Sequence, residues 1–166
     1  TVGVTESAKG NITINIDGRT FTKVIQDGKV TFTVGDLAYG TYNVTATYSG
    51  DDKFLSSNIT SSIFVAKYTS VVVVIVDDIN VGENATITIT GPKDYNGTAV
   101  VNVDGKNYTV SISNGIGQIE VSGLANGTYD VKVTLLETDK YLGSDNYTAK
   151  VLVNKVESFV TVNVDN

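Results

Sequence analysis

Apolar and polar residues alternate along most of this chain. In 10–17 the side chains of Ile12, Ile14 and Ile16 fall on one face, and those of Asn11, Thr13 and Asn15 on the other. Tyr42, Val44, Ala46 and Tyr48 alternate with Thr and Asn, and 84–90 and 129–135 repeat the pattern. A period of two sends successive side chains to opposite sides of a strand, so each run predicts a strand with one buried and one wet face. Turn pairs separate the runs: Asp17-Gly18, Asp27-Gly28, Asn96-Gly97, Asp104-Gly105, Asn114-Gly115 and Asn126-Gly127. Such pairs suit the left-handed backbone of tight hairpins. Val71–Val76 (VVVVIV) breaks the alternation and reads as a strand buried on both faces. Left on an open edge, it would be an aggregation hazard.

Residue usage agrees. Val occurs 26 times and Thr 22 times. β-branched side chains pack well on a pleated surface and lose rotamer freedom in a helix. The pattern therefore predicts an all-β protein of sandwich type.

The chain also repeats itself. At an offset of 87, Asp17-Gly18 falls on Asp104-Gly105, Gly28 on Gly115, Gly40-Thr41-Tyr42 on Gly127-Thr128-Tyr129, and Lys53 on Lys140. Between 10–48 and 97–135, 15 of 39 positions are identical. A second match needs an offset of 88: Lys67-Tyr-Thr-Ser-Val-Val falls on Lys155-Val-Glu-Ser-Phe-Val. The expected organisation is repeat one at 1–67, repeat two at 68–155, and 156–166 as the opening strand of a third repeat or a donor strand. In repeat two the strands are expected near 70–77, 84–90, 98–104, 107–112, 116–122, 127–135 and 146–154. Repeat one lacks the first of these, because Thr1 falls on Thr88, and the chain ends with one to spare. Two arrangements fit this frame: a window of a longer array whose neighbours supply the missing strand, or strand donation, within the chain or between copies, which is the favoured expectation. The candidate exchange residues are Val71, Val73 and Ile75 in the first segment, and Phe159, Val160, Val162 and Val164 in the second.

Leu37-x-x-Gly40-x-Tyr42 recurs as Leu124-x-x-Gly127-x-Tyr129. In immunoglobulin-like sandwiches a Tyr at this place returns its hydroxyl to upstream backbone and closes a corner. Gly allows the turn and Leu packs beneath. The fold expected is thus a tandem of immunoglobulin-like β-sandwiches of Greek-key type, about seven strands each. Two residues after each Tyr, where antibody domains carry a Cys, stand Val44 and Val131.

The run from Asp17-Gly18 through LAYGTYNVTATYSGDDKF resembles the bacterial Ig-like repeat family of tandem cell-surface proteins. The version rich in Asn, Thr and Val and poor in Arg resembles adhesin-like proteins of methanogenic archaea. Repeat two departs at Leu135–Thr138, where repeat one has Tyr48-Ser-Gly-Asp51. The resemblance implies an extracellular repeat array and names no ligand.

Chemistry is narrowed by absence of residue types. With no His and no Cys, the sequence offers no imidazole base, no thiolate nucleophile and no Cys/His zinc site. A formal net charge of −6 and a single arginine, Arg19, speak against a nucleic-acid partner. No apolar run approaches the length of a membrane helix. The carboxylate groups Asp51-Asp52, Asp77-Asp78 with Glu83, and Asp139 with Asp145 read as solvated loop residues rather than a calcium cage, which needs six to eight converging oxygens. Lys23 falls by strand parity on an inward position, at the rim of the sandwich. No catalytic residue, metal or cofactor is expected.

Eight Asn-x-Thr sequons occur, at Asn11, Asn43, Asn58, Asn84, Asn96, Asn107, Asn126 and Asn146. Chance at this composition gives about three. In strands the Asn and Thr share the wet face, so these are candidate N-glycosylation sites. The leading expectation is a non-catalytic stalk, filament or adhesin segment at the cell surface. Its partners would be neighbouring repeats or copies, with surface glycans or another cell as further candidates. The alternatives are a glycan- or protein-binding module and an accessory domain of a surface hydrolase.

Overall fold

The computed structural model describes residues 1–164. The chain divides into two compact units, Thr1–Lys67 and Tyr68–Asn166. All regular structure in the described residues is β.

Unit 1 contains β1 (Val2–Gly3), β2 (Asn11–Ile16), β3 (Arg19–Val24), β4 (Lys29–Val30), β5 (Gly40–Tyr48) and β6 (Ser57–Val65). One sheet runs in the order β3-β2-β5-β6, and β1 pairs with β4 in a second, minimal sheet. Unit 2 contains β7 (Val73–Val76), β8 (Ile79–Asn80), β9 (Ala85–Thr90), β10 (Gly97–Val103), β11 (Lys106–Ile112), β12 (Ile116–Val121), β13 (Gly127–Leu135) and β14 (Ser144–Asn154). Its sheets are β11-β10-β13-β14-β8 and β12-β9-β7. At an offset of 87 the two molecules-within-a-molecule correspond strand for strand: β2, β3 and β5 match β10, β11 and β13, and β1 and β4 match the ends of β9 and β12.

Alternation sets the faces. In β2 the isoleucines are buried, while Thr13 and Asn15 join Thr22 and Thr20 of β3 through side-chain hydrogen bonds of 2.8 and 3.2 Å. The hairpin pairs Asp17-Gly18, Asp27-Gly28, Asp104-Gly105 and Asn114-Gly115 all have positive φ at both residues. Asn96-Gly97 and Asn126-Gly127 do not turn in this way; each leads into a strand, β10 and β13. Each unit has its own core. Ile12, Ile14, Ile16, Ala46 and Tyr48 anchor the first, and Ile87, Ile89, Val101, Val131, Val133 and Val151 the second. A fully buried Val or Ile stabilises by roughly 1.5–3 kcal/mol. Among the described residues no polar or charged residue is buried.

The run Val71–Val76 is not buried on both faces as its composition suggested. Val72 is 4 % exposed, whereas Val71, Val73 and Ile75 keep 72 %, 49 % and 57 % of their surface. The reason is position: β7 lies at the edge of its sheet and pairs with β9 alone, so the strand has one core face like any other.

Candidate functional site

Gly40 and Gly127 open β5 and β13 with φ of 151° and 155°, a backbone that L side chains rarely adopt. This swing brings the tyrosine two residues later back over the preceding loop. The Tyr42 hydroxyl donates to the Ala38 carbonyl at 3.0 Å, and that of Tyr129 to the Ala125 carbonyl at 3.1 Å. Leu37 and Leu124 pack against the cores of their own units.

The units differ at the strand that closes the sandwich. In unit 2, the segment from Tyr68 runs alongside β14. Tyr68 N–H donates to Lys140 C=O, and Leu142 N–H to Tyr68 C=O, each at 2.9 Å. Ser70 Oγ donates to Leu142 C=O at 2.6 Å. The chain then crosses to the opposite sheet as β7, antiparallel to β9, and returns as β8, parallel to the end of β14. It thereby covers the gap between sheets. Ile79 and Val76 pack on the core, and Val151 and Val153 of β14 are fully buried.

Unit 1 has no described segment in that place. The core-facing residues of β6 are left open: Ile59 is 66 % exposed and Ile63 is 40 % exposed. They border a groove of about 590 Å³ whose floor includes Ile14, Ile16, Val44 and Ala46, with Val2 and Phe32 on the other wall. An apolar trough between two sheets leaves core surface and a strand edge in water, which is unfavourable on both counts.

The change of offset from 87 to 88 has a structural cause. β5 pairs with β6 in unbroken register from Gly40↔Val65 to Tyr48↔Ser57. β13 and β14 shift register between Val131↔Ala149 and Val133↔Asn146. The extra residue is a β-bulge in β14, so everything after it is displaced by one. Corrected for the bulge, Ile63 corresponds to Val151 and Val65 to Val153.

The loops Asp51–Phe54 and Thr138–Tyr141, where the repeats differ in sequence, share one geometry. Asp51 Oδ1 accepts from the N–H groups of Lys53 and Phe54, both at 2.8 Å. Thr138 Oγ1 accepts from Lys140 and Tyr141 at 3.3 and 3.0 Å. A carboxylate and a hydroxyl thus cap the same turn. Asp51 also accepts from Lys9 N–H, and these backbone donors, Lys9 first and Lys53 second, hold its carboxyl down to about 2.

The exposed sequon asparagines include Asn11, Asn43 and Asn58 on unit 1 and Asn84, Asn96 and Asn107 on unit 2. Five of the eight sequon asparagines have hydrogen-bonded side chains: Asn126 Nδ2 donates to Val153 C=O at 2.7 Å, Asn146 Nδ2 to Val72 C=O at 3.2 Å, Asn84 Nδ2 to Glu120 at 3.1 Å and Asn96 Nδ2 to Asp94 C=O at 3.2 Å, while Asn107 Oδ1 accepts from Asn102 at 2.6 Å. Lys23 is exposed, its ammonium on the Thr31 carbonyl at 2.8 Å and over the Phe32 ring. The carboxylate pairs form no cluster of three or more that could hold a metal ion among the described residues. Phe159, Val160, Val162 and Val164 are 80–91 % exposed, and 155–164 form no strand.

Sequence reasoning passed over Tyr95. It sits in a turn yet is fully buried, and its hydroxyl donates to Leu136 C=O at 2.5 Å, with Thr98 C=O at 3.2 Å. Unit 1 has Ala8 at this place. Beside it, Asp94 accepts from Lys140 and from the Tyr141 hydroxyl, and the lysine foremost holds its carboxyl below the usual range. The only sequence signal was a large aromatic next to Pro and Gly, which carries no period.

Residues 1–66 match the family model of the bacterial Ig-like domain (group 3). No curated protein matches the chain. Among solved structures, the fibronectin(III)-like modules of Clostridium thermocellum CbhA are similar at 13 % identity and a TM-score of 0.43, over 98 % of this chain and 88 % of that one. Among the described residues, no helix is long and apolar enough to cross a membrane.

Proposed function

We propose that this chain is a non-catalytic structural segment of an extracellular adhesin, stalk or filament, built from Ig-like repeats that are joined by donated strands. One observation carries the reading: the same sandwich occurs twice, and in unit 2 it is closed by the segment that precedes it in the chain. A repeat that completes its core with a neighbouring strand is built to stand in a row. The match of residues 1–66 to a bacterial Ig-like domain supports the surface setting. The Thr and Asn rows on the outer faces, with pairs such as Thr45–Thr60 at 3.0 Å, suit a hydrated exterior and give sequons such as Asn43 and Asn58 room for a glycan. Neighbouring repeats or copies are the immediate partners, and surface glycans or another cell the distal ones. Gold-labelled antibodies raised against the purified chain test this on intact source cells. Label on the outer surface is the expected result; label confined to the cell interior overturns the reading.

A further inference from the structure

The eight sequons are alike in sequence and unlike in structure. N-glycosylation joins a sugar to the side-chain nitrogen of Asn, so the state of that one atom decides what each sequon can accept. In four of them Nδ2 is already engaged: Asn84 on Glu120, Asn96 on Asp94 C=O, Asn126 on Val153 C=O and Asn146 on Val72 C=O. Three of these partners are backbone carbonyls, so a sugar on the nitrogen would have to displace a main-chain contact. In the other four Nδ2 makes no hydrogen bond among the described residues. These are Asn11, Asn43, Asn58, and Asn107, which uses only its Oδ1. All four are exposed.

Strand parity places the free four alike. Asn11 precedes the core residue Ile12 in β2, and Asn43 lies between Tyr42 and Val44 in β5. Asn58 of β6 pairs with the outward Thr47, and Asn107 of β11 with the outward Asn102. Each therefore points away from the core, on the outer face of β3-β2-β5-β6 or of the corresponding sheet of unit 2. The Thr two places on shares that face. The hydroxyls of Thr45 and Thr60 bond to each other and so join the sequons of Asn43 and Asn58. The engaged four lie elsewhere: Asn96 and Asn126 in loops, Asn84 ahead of β9, and Asn146 at the bulge, paired with the inward Val133. Closure of the sandwich does not reach the outer face. Asp130 and Asp145 hold the places of Asn43 and Asn58 in the closed unit 2, and both are exposed.

We infer that this chain carries N-linked glycans on Asn11, Asn43, Asn58 and Asn107, on the outer face of one sheet in each unit, and that Asn84, Asn96, Asn126 and Asn146 stay bare. This rests on the cell-surface reading above and specifies where that surface is modified. The co-reactant is a lipid-phosphate-linked sugar, presented by a membrane transferase. Nδ2 forms a bond to the anomeric carbon, and the bond from that carbon to the phosphate oxygen breaks. The lipid phosphate leaves with the electron pair, and one Nδ2 proton passes to a base of the transferase. A nitrogen seated on a carbonyl must first give up its hydrogen bond, and a free one need not.

Mass spectrometry of peptides from the chain, purified from its source cells, reads occupancy site by site. The expected result is sugar mass at the four free asparagines and none at the engaged four. Asn43→Gln should strip the sugar from its own peptide; sugar that stays is on a hydroxyl and overturns the assignment. Glu120→Ala truncates an exposed side chain and frees Asn84, so it should add sugar there. Absence of sugar from all four free sites overturns the inference. Equal occupancy of the engaged four, or Asn84 still bare in Glu120→Ala, overturns the part assigned to the hydrogen-bonded nitrogen. Antibody label on the outer surface with no sugar rejects this inference and leaves the functional reading standing, whereas label confined to the interior rejects that reading itself.

Discussion

Ile63 and Val151 occupy the same place in their units, on the fourth strand from the β3 and β11 edges and on the same face. Ile63 keeps 40 % of its surface and Val151 none. The local sequence does not explain this, since both strands alternate and both pair with the strand that begins Gly-Thr-Tyr. The difference lies some 70 to 80 residues away in the chain, in whether a closing strand reaches across. Alternation decides which way a side chain points; only the opposite layer decides whether it is buried. Tyr95 adds to the contrast, filling in unit 2 the end of the core that Ala8 leaves small in unit 1.

The sharpest way to break the comparison is to charge the shared position. Val151→Asp should cost unit 2 at least ~4 kcal/mol, because the carboxylate enters a closed apolar core with no partner. Ile63→Asp should cost unit 1 about 1 kcal/mol, since the group reaches water through the open groove. Hydrogen exchange resolved by peptide reads both units in one chain. Equal losses would mean that the groove is closed in solution.

Next in size, Tyr95→Ala should destabilise unit 2 by about 3–5 kcal/mol, the range for emptying a buried aromatic site. Tyr95→Phe, which keeps the ring and leaves the Leu136 carbonyl without its donor, should cost about 1–3 kcal/mol. Denaturant melts of the two variants separate ring from hydroxyl.

The corners should behave alike. Tyr42→Phe and Tyr129→Phe each remove one hydroxyl-to-carbonyl bond at a place water can reach, so each should cost about 1 kcal/mol in its own unit. A large loss in one unit only would show that the matching geometry hides unequal packing.

The smallest effect is a pH dependence confined to one loop. Asp51 has a folded pKa of about 2, below its ordinary value of 3.8. Its stabilisation of unit 1 is therefore complete above pH 4 and is lost as the pH falls toward 2. Asp51→Asn, which keeps an acceptor oxygen, should flatten that acid limb in unit 1. Thr138 does not titrate, so the equivalent loop of unit 2 should show no counterpart, although Asp94 and Asp130, both lowered by lysines, add acid sensitivity elsewhere in it. Amide exchange at Lys53 and Phe54 against Lys140 and Tyr141 measures the pair.

Much of this was legible in the residues. β-branched content and period-two alternation marked the strands, the Asp-Gly and Asn-Gly pairs marked four true hairpins, and the recurrence of Leu-x-x-Gly-x-Tyr marked the corner where Tyr42 and Tyr129 bond back. What stayed hidden was non-local. Six apolar residues at 71–76 look the same whether covered on two faces or one. The bulge in β14 appeared only as an unexplained change of offset. The groove is a relation between Val2, Ile63 and a strand that is not beside them, and no window along the sequence contains all three.

The return of the closing segment to β14 has a mechanical consequence. Tyr68 meets Tyr141 and Ile79 meets Val153, both in parallel. Tension applied at residues 68 and 154 therefore draws two parallel strands past each other lengthwise. Their bonds carry load together and must give way together, as a lap joint does, rather than opening singly like a zip. Unit 1 shows no such joint among the described residues. Seating a strand in its groove would add the joint and even out the load.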